Sequence, residues 1–359
     1  MSIPPPLARA YELISRRNVD ALLITSRENT RYLSGFTGSD STILITIEEQ
    51  GLYFFTDSRY TEQARLECPD WKVIEYKRPV EAVAKRIREL KLSKVGFESR
   101  NVSYNLYHRY VETIDNAALI PIERQIDLLR VPKSDREVAS IKKAIKIAES
   151  AFEKMLPSLK PGIREDEWAL ELEYAMRAAG SGLLPFEVIV ASGERGSMPH
   201  ARASSKVLKK GELVTIDFGA SWEGYTCDNT LTVALGKPSR KLEEIYLVVL
   251  EAHDMAIEGA KPGMELKRID AIARKHIEKK GFGKRFGHGL GHGVGLAVHE
   301  EPAVSPFSEG VLEEGAVITI EPGIYIPGEC GVRIEDMVIA RADGVELLTT
   351  LSKELVIAG

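Results

Sequence analysis

Two stretches of this chain repeat one pattern, and that pattern limits what the chain can build. Gly211-Glu212-Leu213-Val214-Thr215-Ile216-Asp217 and Gly315-Ala316-Val317-Ile318-Thr319-Ile320-Glu321 each run an apolar, strand-like segment into a carboxylate. Either one alone reads as a buried strand ending in an acidic turn. Together they ask for more, because an ionised carboxylate at the end of an apolar strand is costly to desolvate unless a cation or donor faces it. The two stretches lie in an internal repeat. Lys160-Pro161-Gly162-Ile163 recurs as Lys261-Pro262-Gly263-Met264, and the helical stretches that follow end at Gly180 and Gly281, both at an offset of 101 residues. A repeat can assemble one site from two similar halves, so the paired carboxylates imply a shared cation.

Ahead of the repeat, the chain alternates short apolar runs with helical patterns. Ala21–Ile24, Thr42–Ile47, Leu52–Phe55, Val73–Tyr76 and Lys94–Phe97 read as strands, and Leu7–Arg16, Val80–Lys91 and Tyr104–Ile114 read as helices. Pro132 then breaks structure, and Ser134 or Asp135 can cap a long helix running through Ile141, Ile145 and Ala148. The 359 residues therefore divide near residue 130 into an α/β domain over 1–130 and a second, repeat-containing domain over 131–359.

Charge and cysteine content narrow the function. A net charge of -5 with interspersed signs offers no basic face to nucleic acid or to an acidic membrane. No apolar run approaches the roughly 20 residues that span a bilayer, and the start Met-Ser-Ile-Pro-Pro-Pro has no charged region leading into an apolar one. The expectation is a cytoplasmic protein. Cys68, Cys227 and Cys330 are widely separated and read as reduced thiols.

Asp228 follows Asp217 by 11 residues, across a segment that can turn the chain back. A hairpin centred on Trp222-Glu223 would set the two aspartates opposite each other, with Cys227 on the other face. In the second half Glu335 follows Glu321 by 14 residues with Pro327-Gly328 between them, so opposition there requires a bulge or an odd-length loop. Three of the seven histidines fall in Gly287-His288-Gly289-Leu290-Gly291-His292-Gly293-Val294-Gly295-Leu296-Ala297-Val298-His299. The glycine spacing there is neither a dinucleotide fingerprint nor a phosphate loop. A lone histidine is usually structural. Three of them where glycines let backbone crowd a site favour one metal ligand with proton or substrate handlers beside it.

These motifs resemble those of the pita-bread metallopeptidases, in particular the Xaa-Pro group of aminopeptidase P and prolidase, and the resemblance spans the whole chain. It implies a pita-bread catalytic domain with an internal pseudo-twofold repeat, preceded by a smaller creatinase-type α/β domain that serves dimerisation and access to the site. It also implies five ligands to two divalent ions: Asp217 in Thr-Ile-Asp-Phe-Gly, Asp228 in Cys-Asp-Asn-Thr, His292 in Gly-His-Gly-Val-Gly, Glu321 in Ile-Glu-Pro-Gly and Glu335 in Arg-Ile-Glu-Asp. By the same resemblance His200, His299 and Arg333 match substrate-contacting positions or positions behind the ligands, and His288 matches the additional histidine of proline-specific members.

The implied activity is hydrolysis of the bond between an N-terminal residue and a following proline, by an Xaa-Pro aminopeptidase or, alternatively, an Xaa-Pro dipeptidase. Four oxygen-donor side chains and one imidazole suit Mn2+ first, with Co2+, Fe2+ or Zn2+ as alternatives. Glu321 is the expected proton carrier. His200 and His299 are expected to donate to the substrate backbone and the developing oxyanion, and Arg333 to position Glu335 or the substrate. The expected partners are peptides with proline second and a second copy of the chain, without nucleic acid or membrane. A methionine aminopeptidase would share the ligands, but the extra domain and His288 argue against it. A metal-free creatinase-like site has no need of the full ligand set, and no Gly-x-Ser-x-Gly elbow supports serine hydrolysis. A non-catalytic peptide- or protein-binding module on the same fold is the alternative from another class.

Overall fold

The computed structural model describes residues 3–47 and 51–359. The chain forms two compact units, Met1–Arg130 and Val131–Gly359.

The first unit is a six-stranded mixed sheet between helices. Its strands are β1 (Ala21–Ile24), β2 (Thr42–Thr46), β3 (Leu52–Thr56), β4 (Lys72–Glu75), β5 (Lys94–Glu98) and β6 (Ala118–Ile122), ordered β4-β3-β2-β1-β5-β6. The central strands are buried on both faces, which explains their continuous apolar runs. Helices α1 (Pro5–Arg17), α2 (Arg27–Ser34), α3 (Thr61–Glu67), α4 (Pro79–Glu89) and α5 (Tyr104–Thr113) cover them. Helices α2 and α3 and strand β6 were not read from the sequence. The two helices have only eight and seven residues, and β6 carries Pro121.

The second unit opens with α6 (Asp135–Met155), whose start is fixed locally. Ser134 Oγ accepts from the Glu137 amide, and the Glu137 carboxylate accepts from the Ser134 amide, a capping box. Helix α7 (Glu165–Ala178) follows. A four-stranded sheet then comprises β7 (Ile189–Ser192), β8 (Leu213–Phe218) and β11 (Asn229–Leu235), with β19 (Ile357–Ala358) at the edge of β11. The short pair β9 (Ser221–Trp222) and β10 (Tyr225–Thr226) caps the β8–β11 hairpin.

After α8 (Arg240–Gly259) and α9 (Leu266–Lys279), the second half forms a five-stranded sheet. Its strands are β12 (Gly291–Gly293), β13 (Glu300–Val304), β14 (Val317–Ile320), β17 (Asp336–Arg341) and β18 (Gly344–Leu347), ordered β13-β12-β14-β17-β18. The hairpin of β15 (Gly323–Ile326) and β16 (Cys330–Arg333) projects from it.

The repeat read from the sequence is a repeat of structure. The Gly162 amide donates to Leu208 O at 3.0 Å, and the Gly263 amide donates to Leu312 O at 2.9 Å. Both glycines take positive φ, 99° and 81°, a conformation a side chain would resist. Threonines knit the halves together. Thr232 Oγ1 donates to Arg333 O at 2.9 Å, and Thr215 Oγ1 donates to Gly331 O at 3.3 Å, so β16 docks across β8 and β11. Behind them, Phe218 stacks on Phe152 of α6 with ring centroids 4.9 Å apart, anchoring the strand that carries Asp217 in the core.

Candidate metal centre

The two hairpins reach the site by different registers. In the first, Asp217 pairs with Thr230 and Phe218 with Asn229, so Asp217 and Asp228 are not directly opposite. The turn lies one residue later than its composition indicated. Trp222 pairs with Tyr225, and the loop is Glu223-Gly224, both at positive φ (48° and 79°). Two successive left-handed residues make the tight hairpin turn whose twist matches the strands. The resulting slip of two residues keeps Asp228 on Asp217's face, diagonally placed, because side chains alternate with period two. In the second hairpin Ile320 pairs with Asp336, and the pairing resumes at Gly323 with Arg333. A three-residue loop centred on Gly328, at φ 74°, preserves this register and leaves Glu321 facing Glu335.

Three overlapping groups of potential ligand atoms result, each within 4.8 Å: Asp217, Asp228 and Glu335; His292, Glu321 and Glu335; and Asp228, His292 and His299. All six residues line one cavity of about 420 Å³, with His200, His288 and Arg333 also in its wall. Cys227 does not join them. It lies buried on the opposite face, where its Sγ accepts from the Ala220 amide at 3.2 Å.

The hydrogen bonds leave particular ligand atoms unpaired. Asp217 Oδ2 accepts from Arg333 Nη2 at 2.6 Å and Glu335 Oε2 accepts from Thr230 Oγ1 at 2.7 Å, while Asp217 Oδ1 and Glu335 Oε1 are buried without a partner. His292 Nδ1 lies 3.0 Å from Gly293 O, which can only accept, so Nδ1 carries the hydrogen and Nε2 keeps its lone pair. That Nε2 points at Glu321 Oε1 (3.4 Å) and Asp228 Oδ2 (3.6 Å). Thr319 Oγ1 accepts from the His292 amide and donates to Glu321 Oε1, tying these two side chains to one hydroxyl.

Burial, then the charge of Glu335, raises the pKa of Asp228 and Glu321 well above the carboxylate range. Burial, then Asp217, pushes Glu335 up to about 7. Burial and neighbouring His299 hold the His292 ring down at about 4, so it is a neutral donor at pH 7. Four carboxylates against one buried guanidinium, two of their oxygens unpartnered, and a neutral imidazole form a donor set that fits divalent cations.

Arg333, expected to position Glu335 or the substrate, makes no direct hydrogen bond to Glu335 and is linked to it through Thr230 Oγ1. Its side chain grips Asp217 and donates also to Thr230 Oγ1, Pro199 O and Tyr325 Oη. Tyr325 was missed in the sequence. Its hydroxyl donates to His288 Nε2 at 2.9 Å and accepts from Arg333 Nη1 at 3.1 Å, while His288 Nδ1 donates to Gly289 O. His288 is thus a neutral ring held within a network, its pKa lowered to about 4 by burial. The only signal for Tyr325 was its place three residues after Pro322 in Glu321-Pro322-Gly323-Ile324-Tyr325. His200 and His299 are exposed on the cavity wall, and the rings of His292 and His299 lie 4.2 Å apart.

The chain is similar to known proteins over nearly its whole length. The chain is 39% identical over 353 residues to an Xaa-Pro dipeptidase of Pyrococcus horikoshii, covering 97% of each chain. The structure of an Xaa-Pro dipeptidase from Bacillus anthracis superposes with a TM-score of 0.94 at 41% identity, covering 98% of this chain and 99% of that one. An X-Pro aminopeptidase from Thermotoga maritima superposes with a TM-score of 0.88 at 40% identity, covering 97% and 99%. These neighbours share the pita-bread architecture, with the first unit a creatinase-type domain. Residues 6–131 match the creatinase/prolidase N-terminal domain and residues 139–342 match metallopeptidase family M24; the chain is a member of that family of enzymes.

Proposed function

We propose that this metallopeptidase is an Xaa-Pro dipeptidase that works with two divalent ions, Mn2+ first among them, held by Asp217, Asp228, His292, Glu321 and Glu335. The observation that carries the reading is the convergence of these five side chains, from two hairpins and the β12 strand, with Asp217 Oδ1 and Glu335 Oε1 buried and unpaired. The relatives described as Xaa-Pro dipeptidases support the dipeptidase over the aminopeptidase favoured by the sequence motifs alone.

When bound, the ions polarise the scissile carbonyl and make water a stronger acid. Glu321, oriented by Thr319, accepts a proton from the attacking water and returns it to the departing proline nitrogen. His299, its pKa lowered by partial desolvation at the cavity wall, and His200 donate hydrogen bonds to the substrate backbone and the oxygen that gains charge. Arg333 holds Asp217 in place, and His288 is oriented through Tyr325. The apolar side of the cavity, Phe186, Ile189 and Pro199, suits a pyrrolidine ring, whose fixed φ lets shape select it.

The test is hydrolysis of Xaa-Pro, Xaa-Pro-amide, Xaa-Pro-Yaa-Zaa and Xaa-Ala by the Mn2+-loaded protein. Cleavage confined to Xaa-Pro supports the dipeptidase, and no cleavage of any proline peptide rejects the proposal. One observation favours a second reading: the Thermotoga maritima neighbour, described as an X-Pro aminopeptidase, superposes over nearly the whole chain. Efficient cleavage of the longer peptide would support that reading. A homodimer belongs to the same proposal and is tested by light scattering. Among the described residues no helix is long and apolar enough to cross a membrane.

A further inference from the structure

Glu165, the first residue of α7, is 0% exposed and does not line the cavity. Its carboxylate nevertheless accepts five hydrogen bonds. Oε1 takes the Ser192 amide (2.8 Å) and Ser192 Oγ (2.7 Å). Oε2 takes Arg195 Nε (2.9 Å), Ser204 Oγ (2.7 Å) and the Ser204 amide (3.3 Å). Ser192 ends β7 and Ser204 closes the loop that follows, so one side chain clamps both ends of the segment 193–203. His200 stands on that segment, in the cavity wall. Arg195, held by the same carboxylate, reaches across the loop to donate to Arg202 O, and Pro199 O at the tip accepts from Arg333 Nη1.

The internal repeat shows that the fold does not require a carboxylate there. The position 101 residues on is Leu266, the first residue of α9 and 2% exposed. The backbone at the two places is alike. The Glu165 amide donates to Lys206 O, and the Leu266 amide donates to Gly310 O. One half fills this position with an apolar side chain, and the other buries a charge that must be matched by donors to be tolerated. The donors that match it belong to the loop that carries His200.

We propose that Glu165 is the positioning residue for His200, setting the loop so that the imidazole meets the substrate. The inference rests on the proposed role of His200 in peptide hydrolysis. An amide in place of the carboxylate presents an NH2 where two or three donors need an acceptor, so Glu165→Gln releases one end of the clamp. A misplacement of about 1 Å remote from the chemistry can lower catalysis by about 10²-fold.

The experiment is a double-mutant cycle on the Mn2+-loaded protein with Xaa-Pro as substrate, comparing wild type, Glu165→Gln, His200→Ala and the double variant. Hydrogen exchange of segment 193–203 and calorimetric Mn2+ affinity are measured in parallel. The expected result is a loss in kcat/KM of about 10²-fold in Glu165→Gln, faster exchange in the segment and unchanged Mn2+ affinity. In the His200→Ala background the same change costs less than about twofold, because coupled residues are not additive. An equal loss in both backgrounds, or weakened Mn2+ binding, would make Glu165 a general structural residue and overturn the inference. If Glu165→Gln does not fold, Ser204→Ala, which removes one donor from the clamp, carries the same cycle with a smaller loss. A wild type that fails to cleave Xaa-Pro rejects the proposed function itself, and that outcome is read before the variants are compared.

Discussion

Arg333 and Asp217 are 116 positions apart in the chain, and Nη2 of one donates to Oδ2 of the other at 2.6 Å inside the protein. The guanidinium makes four hydrogen bonds in different directions, to Asp217, Thr230, Pro199 and Tyr325. A lysine ammonium is a compact charge that cannot reproduce such a fork. Arg333→Lys should therefore retain the fold and lose about 10-fold or more in kcat/KM. Arg333→Met removes one member of a buried pair and should destabilise by about 3–5 kcal/mol. Urea unfolding and Xaa-Pro kinetics on both variants check this, and a Lys variant with wild-type kinetics would contradict it.

The metal-free protein should become less stable as pH rises from about 6.5 to 8, above the range in which His288 and His292, held down at about 4 by burial, add stability with rising pH. Glu335 has its pKa pushed up to about 7 by burial and then Asp217, and Asp228 and Glu321 are raised well above the carboxylate range. A raised folded pKa contributes stability that is complete below the unfolded value of 4.5 for glutamate and is lost as pH climbs through the folded value. Ions must displace those protons, so Mn2+ affinity should rise over the same window. Calorimetric scans with chelator and with Mn2+ measure both. A metal-free Tm that is flat or rising between about pH 6.5 and 8 would refute the assignment.

Gly331 packs where a side chain has no room. A Cβ there would drive into the carbonyl oxygen of Gly196, which is backbone and cannot swing aside. Gly331→Ala should cost about 1–3 kcal/mol, the usual range for overpacking. Because Gly196 lies in the His200 loop and Gly331 is two residues before Arg333, kcat/KM should fall as well. Retained stability and activity in this variant would show that the two backbones part easily.

Lys353 lies directly behind the ligands. Its Nζ donates to Asn229 Oδ1 at 2.7 Å and pairs with Asp336 Oδ1 at 3.1 Å, joining the residues that follow Asp228 and Glu335. Lys353→Met removes the cation facing Asp336 and leaves it with Thr349 Oγ1, which donates to Oδ1, and with His253, whose Nε2 approaches at 3.1 Å as a charge contact rather than an aligned hydrogen bond. The variant should bind Mn2+ about 10-fold more weakly, as loss of groups behind metal ligands commonly does. Titration calorimetry tests this without reference to catalysis, and unchanged affinity would assign Lys353 to fold stability alone.

Much of the architecture follows from local preference written along the chain. The apolar runs of β8 and β14, the Ser134 cap, and Gly162 and Gly263 at positive φ each depend on residues close in sequence. The sequence by itself thus determined where β1 to β5, β8 and β14 lie, that the second unit is a repeat, and which carboxylates end β8 and β14. Tertiary structure decided the rest. The two-residue slip between Asp217 and Asp228 came from the backbone of Glu223-Gly224, where composition allowed either turn position. The grip of Arg333 on Asp217, the link through Tyr325 and the clamp at Glu165 join residues from 8 to 116 positions apart. Periodicity reports which face of an element is buried. Which donor meets which acceptor there is settled only when separate elements dock, since a buried polar group must find its partner among whatever the docking brings near.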